Sequence, residues 1–428
     1  MNKEAAANEL GCKLAKLSNK DKSSLLDKDN LKKLSEKCER IVLITGTNGK
    51  TTTNNILNHI LKSQYNTITN VNGVDTIEGL IAPLSIKNDE KYDFGLFEVD
   101  PNSMPEISKH ITPDLMIVTN FFRDQLDTFG EVETAIELVH DSVKQPTKLI
   151  LNADDPSTYY FNDLENEKIY FHQENIEAVK GDLCVGEFLF CPKCGSKLDY
   201  DYVNYGNIGG YSCPDCEVKN PEAKYSITDA KSLKKGYSFE VNNEYNNKIN
   251  VIGNYNLYNA LAAIAASFEL GIDPKTIADK IGKFVYKQGR TEFMELEDKK
   301  ISISLTKNPI AASEQLISLK DNDAEKSIVF ILNDNEADSE DVSWIWDIDL
   351  ETLKSIENLN KFYCLGTRRN DLAIRLKYDD FDLDKVEIAE DSEIKEKINK
   401  AIKENDEIHI IGTPSGVSEA KKMIKGGI

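Results

Sequence analysis

One stretch, residues 41–53 with the sequence IVLITGTNGKTTT, constrains this chain more than any other. Its apolar residues 41–44 predict a strand that breaks at Gly46, and the residues after Gly49 carry isoleucine and leucine at helical spacing. A strand, a tight loop and a helix in this order aim backbone N–H groups and a helix N-terminus at one point, which suits phosphate oxygens. The stretch therefore predicts a phosphate-binding loop; the alternative is a turn that merely joins a strand to a helix.

The side chains of this loop have separate predicted roles. Lys50 adds a positive charge beside phosphate oxygens, and Thr51 adds a hydroxyl for Mg²⁺. The full pattern G-x-x-x-x-G-K-[ST] is not met, because Ile44 stands where its first glycine belongs. We expect the shortened loop to bind a nucleotide through consecutive residues: Gly46, Thr47, Asn48, Gly49, Lys50, Thr51 and Thr52.

Length and charge limit the classes of protein to consider. A chain of 428 residues is long enough for two or three domains. The net charge of −21 argues against nucleic acid as a partner, since phosphate backbones require a basic surface. No apolar run approaches the roughly 20 residues that span a bilayer, and the N-terminus lacks a secretory signal. We expect a cytoplasmic protein.

Apolar strands alternate with helical patterns through most of the chain, which predicts an α/β fold with parallel sheets. We expect residues 1–40 to form a helical leader, residues 41–288 a central domain, and residues 289–428 a second α/β domain. In such sheets ligands bind at the carboxyl ends of the strands. The basic link between the domains carries Arg290, which is available to a phosphate.

Two predicted strand ends carry polar side chains that would face the phosphate loop. Glu98 ends one strand, and a carboxylate there can hold Mg²⁺ beside nucleotide phosphates. Asn120 ends the next and is followed by Arg123 and Asp124. The alternatives are a solvated acid at Glu98 and an ordinary surface ion pair between Arg123 and Asp124.

Two C-x₂-C pairs interrupt the α/β pattern of the central domain, and their spacing is that of a four-thiolate zinc ribbon inserted at about residues 187–222. The predicted ligands are Cys191, Cys194, Cys213 and Cys216. Four protein ligands leave no open position for catalysis, so the zinc is structural; the alternative is a redox site. The remaining cysteines lack such spacing and are predicted to be buried small hydrophobes: Cys12, Cys38, Cys184 and Cys364.

Two further segments each leave two interpretations open. Asn254, Asn256 and Asn259 begin an alanine-rich helix, where they either cap the helix or bind an adenine edge. An acidic segment after a strand of the second domain carries Trp344 and Trp346. Large aromatic side chains at an exposed strand end suggest a surface for another protein; the alternative is that both pack into the core.

These motifs together resemble the Mur ligase family, from about residue 41 to the end of the chain. The resemblance is carried by the loop GTNGKT, Glu98, the segments LNADDP, YNLYNALAA and Gly289–Arg290, the zinc ribbon, and the segments TNFFRDQLDTFGE and LNDNEADSEDVSWIWD. It implies a central domain that binds ATP and Mg²⁺, followed by a C-terminal α/β domain. Thr51 and Glu98 are the implied Mg²⁺ ligands, and Asn256, Asn259 and Arg290 are implied ATP contacts.

The zinc ribbon and the segments TNFFRDQLDTFGE and LNDNEADSEDVSWIWD resemble a branch of the family that amidates lipid II. The resemblance implies a carbon–nitrogen ligase with glutamine as amido donor, acting at the inner face of the membrane on the D-glutamate of the stem peptide. Lys50 and Glu98 would serve the ATP-dependent step. A separate GatD-like glutaminase would form a heterodimer with the chain and supply ammonia. Asp341 would complete the partner's catalytic triad, and Asp347 and Asp349 rank below it.

The sequence departs from typical amino-acid-adding Mur ligases at two points. Gln125 stands where histidine is usual, and no lysine follows between Asp127 and Lys144, so a carbamylated lysine is not expected. Two alternatives stay open. The first is a Mur-type ligase that adds an amino acid, and the second is a non-catalytic module that combines a zinc ribbon with ATP binding.

Overall fold

The computed structural model describes residues 29–70, 74–85, 91–124, 130–174, 188–233, 236–251, 253–285, 291–296, 298–320, 323–335, 338 and 340–425. The chain divides into two compact units. The first comprises residues 1–122, 132–182 and 187–286, and the second comprises residues 123–131, 183–186 and 287–428. Each unit is an α/β structure built on a largely parallel sheet, so the predicted fold class is confirmed.

The first unit contains one large sheet and a small hairpin. Its strands are β1 (Cys38–Thr45), β2 (Thr67–Thr69), β3 (Tyr92–Glu98), β4 (Leu115–Val118), β5 (Lys148–Asn152), β6 (Lys168–Gln173), β7 (Asp199–Tyr205), β8 (Ile208–Ser212), β9 (Tyr225–Leu233), β10 (Gly236–Val241) and β11 (Tyr245–Ile249). The large sheet has the order β11-β10-β9-β6-β5-β4-β1-β3-β2 within the described residues. Its pairs are parallel from β2 to β9, and β9, β10 and β11 pair antiparallel.

Helices cover this sheet. They are α1 (Asp29–Lys37), α2 (Lys50–Leu61), α3 (Ile77–Ile81), α4 (Met104–Ile107), α5 (Val132–His140), α6 (Tyr255–Glu269) and α7 (Pro274–Gly282). Helix α6 is buried along most of its length and packs against α2. The alanines of α6 permit this close approach, because they carry no side chain beyond Cβ.

The second unit is a six-stranded sheet with the order β12-β13-β17-β14-β15-β16 in the described residues. Its elements are β12 (Thr291–Leu296), β13 (Lys299–Leu305), α8 (Pro309–Ile317), β14 (Lys326–Ile331), β15 (Leu359–Leu365), α9 (Arg369–Tyr378), β16 (Val386–Ile388), α10 (Ile394–Glu404), β17 (Glu407–Gly412) and α11 (Pro414–Lys425). All pairs except β12–β13 are parallel, and separate apolar clusters cover the two faces of the sheet.

The sequence left open whether the two tryptophans are exposed or pack into the core, and the structure shows one of each. Trp344 is 6% exposed and belongs to the apolar cluster on one face of the second sheet. Trp346 is 47% exposed, and its ring lies edge-on to Tyr378 with centroids 5.4 Å apart. The short helical turn Ser343–Asp347 therefore points one tryptophan into the core and leaves the other at the surface.

Some details of the sequence-based prediction need correction. Strand β1 begins at Cys38, three residues before the predicted start, and Cys38 is only partly buried. Cys364 is fully buried as predicted, whereas Cys12 and Cys184 lie outside the described residues. None of the described helices has the length and apolar composition needed to cross a bilayer.

A buried acid joins the ends of β4 and β5. Asp155 has no exposed surface; its Oδ2 accepts a hydrogen bond from the Phe121 N–H at 3.0 Å, and its Oδ1 accepts one from the Ser157 N–H at 2.9 Å. Burial raises the pKa of Asp155 to about 6, because the loss of hydration penalises the carboxylate more than these hydrogen bonds favour it.

This raised pKa predicts a pH dependence of stability. Between the unfolded and folded pKa values the native state keeps a proton that the unfolded chain has released, so stability falls as pH rises. We expect the unfolding free energy of the wild type, minus that of Asp155→Asn, to fall by about 2 kcal/mol between pH 4 and pH 7. Urea titrations of both proteins measure the difference, and a difference that stays constant with pH contradicts the prediction.

Candidate functional site

The phosphate loop follows β1 and runs directly into α2. Gly46 has φ +118° and Gly49 has φ +89°, both in the region that favours glycine. A Cβ at Gly46 would lie 2.5 Å from Thr119 Oγ1 and 2.6 Å from the Asn120 carbonyl oxygen. Glycine is therefore required at the first position both by the backbone conformation and by the end of β4 beside it.

Asn120, just after β4, holds the loop through its backbone and its side chain. Its carbonyl oxygen accepts from the Thr47 N–H at 2.8 Å. Its amide accepts from the Asn48 N–H at 2.9 Å and donates to the Asn48 carbonyl at 3.0 Å. The Thr47 hydroxyl in turn accepts from the Phe122 N–H at 3.0 Å. The loop conformation is thus fixed by a segment distant in sequence.

Lys50 is the first residue of α2 and is 9% exposed. Its Nζ lies 2.8 Å from the Gly46 carbonyl oxygen, 3.3 Å from the Thr47 carbonyl oxygen and 3.4 Å from Asp75 Oδ2. The ammonium group therefore lies over the loop, where the phosphate-binding prediction requires a positive charge. Asp75, which the sequence did not single out, is its acidic neighbour.

Thr51 and Glu98 lie together, as the Mg²⁺ prediction requires. The Thr51 hydroxyl donates to Glu98 Oε2 at 2.6 Å, and Glu98 has no exposed surface. Asn70, after β2, fixes the backbone of Glu98, because its amide accepts from the Glu98 N–H and donates to the Glu98 carbonyl. A hydroxyl and a carboxylate in contact fit the oxygen-donor preference of Mg²⁺.

The start of α6 lies against the loop. A Cβ at Gly49 would lie 2.0 Å from Asn259 Oδ1, and the Asn259 amide donates to Asn256 Oδ1 at 3.0 Å. Asn254 makes no side-chain cap; it accepts from the Gln173 amide instead. The helix-cap interpretation is therefore wrong for Asn254. Thr52 lies in the first turn of α2, and Arg290 lies outside the described residues.

The four predicted zinc ligands come together in one cluster. Their Sγ atoms all lie within 4.8 Å of one another, with 3.5 Å between Cys191 and Cys216 and 3.4 Å between Cys194 and Cys213. A tetrahedral site with zinc–sulfur bonds of 2.3 Å has sulfur separations of about 3.8 Å, so the thiols fit zinc.

The predicted acidic residues of the second unit have different surroundings. Arg123 pairs with Asp347 at 2.8 Å rather than with Asp124, and Asp124 lies 3.8 Å from Lys307 Nζ. The Thr352 hydroxyl donates to Asp349 at 2.7 Å. Asp341 accepts only from the nearby Ser343 N–H among its described hydrogen bonds, at 2.7 Å, and is partly exposed. Gln125 and Asp127 lie outside the described residues.

Sequence reasoning missed several residues that position the site. Asn70, Asp75 and Tyr205 belong to no recognisable motif, and Asp154 was noted only as part of LNADDP. The signal for Asn70 is its position one residue after a short β-rich segment, where strand ends gather in a parallel sheet. Tyr205 carries no such signal, because its contact with Asn120 depends on the folding of the ribbon.

The close approach at Gly49 gives a matched pair of substitutions. Gly49→Ala and Gly271→Ala both place a Cβ at a positive φ, +89° and +86°, but Gly271 has no atom within 4 Å of that position. We expect a similar backbone penalty of about 1 kcal/mol in both. Only Gly49→Ala should weaken ADP binding, as measured by titration calorimetry. Equal ADP affinities in the two variants would contradict this account of the loop.

If the cysteine cluster holds zinc, replacing one of its cysteines should release the metal. Cys191→Ser should lower both the zinc content of the purified protein and its melting temperature, because a structural metal contributes folding free energy. Cys364→Ser, which alters a buried cysteine outside the cluster, is the control: it should lower stability with zinc content unchanged. Zinc content is measured by mass spectrometry of metals, and a Cys191→Ser protein with full zinc would refute the assignment.

Two family models match this chain. Residues 44–192 match the Mur ligase middle domain, and residues 305–416 match the MurT ligase C-terminal domain. The first match covers the phosphate loop, Glu98 and the first cysteine of the cluster, Cys191. The second covers most of the second unit, including Asp341 and both tryptophans.

Curated relatives match most of the chain. It is 36% identical over 355 residues to the lipid II isoglutaminyl synthase (glutamine-hydrolyzing) subunit MurT of Staphylococcus aureus, covering 82% of this chain and 80% of that protein. It is 32% identical over 408 residues to the same subunit of Streptococcus pneumoniae, covering 93% and 90%.

Solved structures agree on the fold. A pseudomurein peptide ligase type C from Methanothermus fervidus superimposes with a TM-score of 0.71 at 23% identity, covering 96% of this chain and 85% of that one. MurF ligase from Thermotoga maritima in complex with ADP gives a TM-score of 0.62 at 16% identity, covering 93% and 83%. The chain has the Mur ligase fold, and by its identity to the curated relatives it belongs to the MurT family of Mur ligases.

Proposed function

We propose that this chain is the ATP-dependent subunit of a lipid II isoglutaminyl synthase. In this role it activates the α-carboxylate of D-glutamate in the lipid II stem peptide and amidates it to D-isoglutamine. The observation that carries the proposal is the phosphate loop of a MurT-family chain, with Lys50 over the loop and Thr51 in contact with Glu98. The substrate would be reached at the cytoplasmic face of the membrane.

The proposed reaction has two steps. A carboxylate oxygen of D-glutamate attacks the γ-phosphorus of ATP, which releases ADP and forms an acyl phosphate. Ammonia then attacks the acyl carbon, the amide bond forms, and phosphate leaves. Lys50 would offset charge on the transferring phosphoryl group, because an ammonium in a water-poor loop stabilises charge that develops there. Mg²⁺, held by Thr51 and Glu98, would neutralise the phosphates when bound. The asparagines Asn256 and Asn259 are proposed nucleotide contacts, as is Arg290.

The second unit supports a role for a glutaminase partner. Asp347 and Asp349 already have close partners, in Arg123 and Thr352. Asp341 is partly exposed and accepts from one backbone N–H, which holds the carboxylate in a fixed orientation. An acid held in this way can orient a histidine of a Cys-His pair on a GatD-like glutaminase and stabilise its imidazolium form. Asp341 is therefore the proposed third member of the partner's triad.

An exposed aromatic patch supports a docking surface near Asp341 in sequence. Trp346 is 47% exposed and Tyr378 is 72% exposed, and their rings touch edge to face. The Arg375 guanidinium lies 5.5 Å from the centroid of the Trp346 ring. Tryptophan and tyrosine are among the residue types that dominate binding energy at protein interfaces. This patch is the proposed contact surface for the glutaminase.

The decisive experiment combines the purified chain with its partner, glutamine, ATP, Mg²⁺ and lipid II. We expect ADP release and amidated lipid II, detected by mass spectrometry. Lys50→Ala should abolish both and leave the complex with the partner intact on size-exclusion chromatography. Full amidation by the Lys50→Ala protein would remove this loop from the mechanism. Turnover with a free amino acid, without partner or glutamine, would instead favour a Mur-type ligase that adds an amino acid.

The proposed role of Asp341 predicts a separation of the two ammonia sources. Asp341→Asn should impair glutamine hydrolysis in the complex by at least about tenfold, because removing a member of a catalytic triad is costly. Synthesis from added ammonium should be unchanged, since ammonium needs no glutaminase. Asp347→Asn serves as the matched control in the same segment. Equal loss with both ammonia sources would mean that Asp341 is not the glutaminase acid.

A further inference from the structure

The β7–β8 hairpin has different surroundings at its two ends. At the open end, Cys194 precedes β7 and Cys213 follows β8, and Leu198 and Tyr211 pack around the cysteine cluster. At the other end the strands join through the short turn between Tyr205 and Ile208. The proposed function uses the metal cluster only for folding and gives the turn no role.

The turn end of the hairpin lies against the segment that holds the phosphate loop. The Asn120 amide nitrogen, which donates to the Asn48 carbonyl at 3.0 Å, also lies 3.4 Å from the Tyr205 hydroxyl oxygen. The ring of Tyr205 packs against Phe122, with centroids 5.9 Å apart. Tyr205, which is 3% exposed, therefore contacts residues on both sides of Phe121 in the segment that fixes the loop.

The same end of the hairpin holds the start of α6. Tyr205 makes ring contacts with Tyr258 and Tyr255, at centroid distances of 5.3 and 6.4 Å. Asn204 donates to the Tyr258 hydroxyl at 2.7 Å and accepts from the Asn254 amide at 3.1 Å. The first two turns of α6 also carry Asn256 and Asn259, and Asn259 lies against Gly49 of the loop.

The body of the ribbon is attached to the central sheet, so its turn end is not a loose loop. The Asn220 amide donates to Asp154 Oδ1 at 2.9 Å, and the Gly209 N–H donates to the Asp154 carbonyl at 3.0 Å. Asp154 has no exposed surface and lies two residues after the end of β5. The ribbon is thus fixed at Asp154, and through Tyr205 it contacts α6 and the segment Asn120–Phe122 that holds the phosphate loop.

We propose that the ribbon is a positioning element of the nucleotide site and that Tyr205 is the residue through which it acts. The zinc-stabilised hairpin holds Asn120, and through it the phosphate loop, together with the first turn of α6. This inference rests on the proposed function in one respect, namely that the loop binds the phosphates of ATP. It differs from a merely structural ribbon because it links the ribbon to nucleotide affinity.

The test measures ADP affinity, zinc content and melting temperature for the full chain and two single variants. Tyr205→Ala removes the ring from the turn end, whereas Tyr200→Ala removes a ring at the metal end, where Tyr200 contacts Tyr211. We expect Tyr205→Ala to weaken ADP binding by about tenfold, the equivalent of losing one good contact, with zinc content unchanged. Tyr200→Ala should lower the melting temperature and leave the ADP affinity of the folded protein unchanged. Steady-state assays should show a raised KM for ATP in Tyr205→Ala with kcat preserved.

A second arm keeps the test decisive if Tyr205→Ala does not fold. Tyr205→Phe keeps the ring and removes only the hydroxyl beside Asn120, and should weaken ADP binding by a smaller factor, about threefold. Removing zinc from the wild type with a chelator should weaken ADP binding, and adding zinc should restore it. Wild-type ADP affinity in a folded Tyr205→Ala protein would overturn the proposal. If Tyr205→Ala does not fold, wild-type ADP affinity in Tyr205→Phe would overturn it. A wild-type chain that does not bind ADP at all would contradict the proposed function instead.

Discussion

The carboxylate of Asp154 is the interaction on which the arrangement of the first unit depends. It has no exposed surface, yet it accepts from His172 Nδ1 at 2.6 Å, the Tyr258 hydroxyl at 2.7 Å, the Asn220 amide at 2.9 Å and the Gln173 N–H at 2.9 Å. A buried carboxylate is tolerated only when donors replace its hydration. Its donors come from β6, from α6 and from the ribbon, so one buried group joins three elements. Burial by itself would lower the pKa of His172, but the hydrogen bond to Asp154 and the negative charges of Asp154 and Glu174 together raise it, which favours an ion pair at this position.

The parallel sheet explains why the phosphate-site residues meet. Ile44 of β1 pairs with Glu98 of β3, and Thr45 of β1 pairs with Val118 of β4, so the three strands end at the same edge. Whatever follows these strands must gather there: the loop after β1, Glu98 at the end of β3 and Asn120 just after β4. The same geometry puts Asp154 and Asp155 next to them after β5. The site is a consequence of sheet register more than of any single motif.

The inserted ribbon contacts this edge of the sheet through its turn end. Its cysteine pairs are brought together by the β7–β8 hairpin between them, over 19 and 25 positions, whereas its turn end meets Asn120, which lies 85 positions earlier in the chain. A small hairpin has little core of its own, and a metal bound by the four cysteines would supply stability that hydrophobic burial cannot. In the second unit, the short turn Ser343–Asp347 likewise has one buried and one exposed part. Trp344 packs into the core, and Trp346 lies at the surface.

The sequence by itself determined the features that depend on short-range pattern. These features are the α/β class, the phosphate loop from Gly46 to Thr51, Glu98 in contact with Thr51, and the four clustered cysteines. Each follows from residues that are close together in sequence or that end apolar strands. The tertiary structure alone decided that Asn120 binds the backbone of Asn48 across 72 positions, that Asn70 fixes Glu98, and that Tyr205 reaches Asn120. It also decided which tryptophan is buried and that Asn254 binds Gln173 rather than capping its helix. The physical reason is that these contacts depend on sheet register and on the packing of the ribbon, and neither leaves a periodic or local signal in the amino-acid sequence.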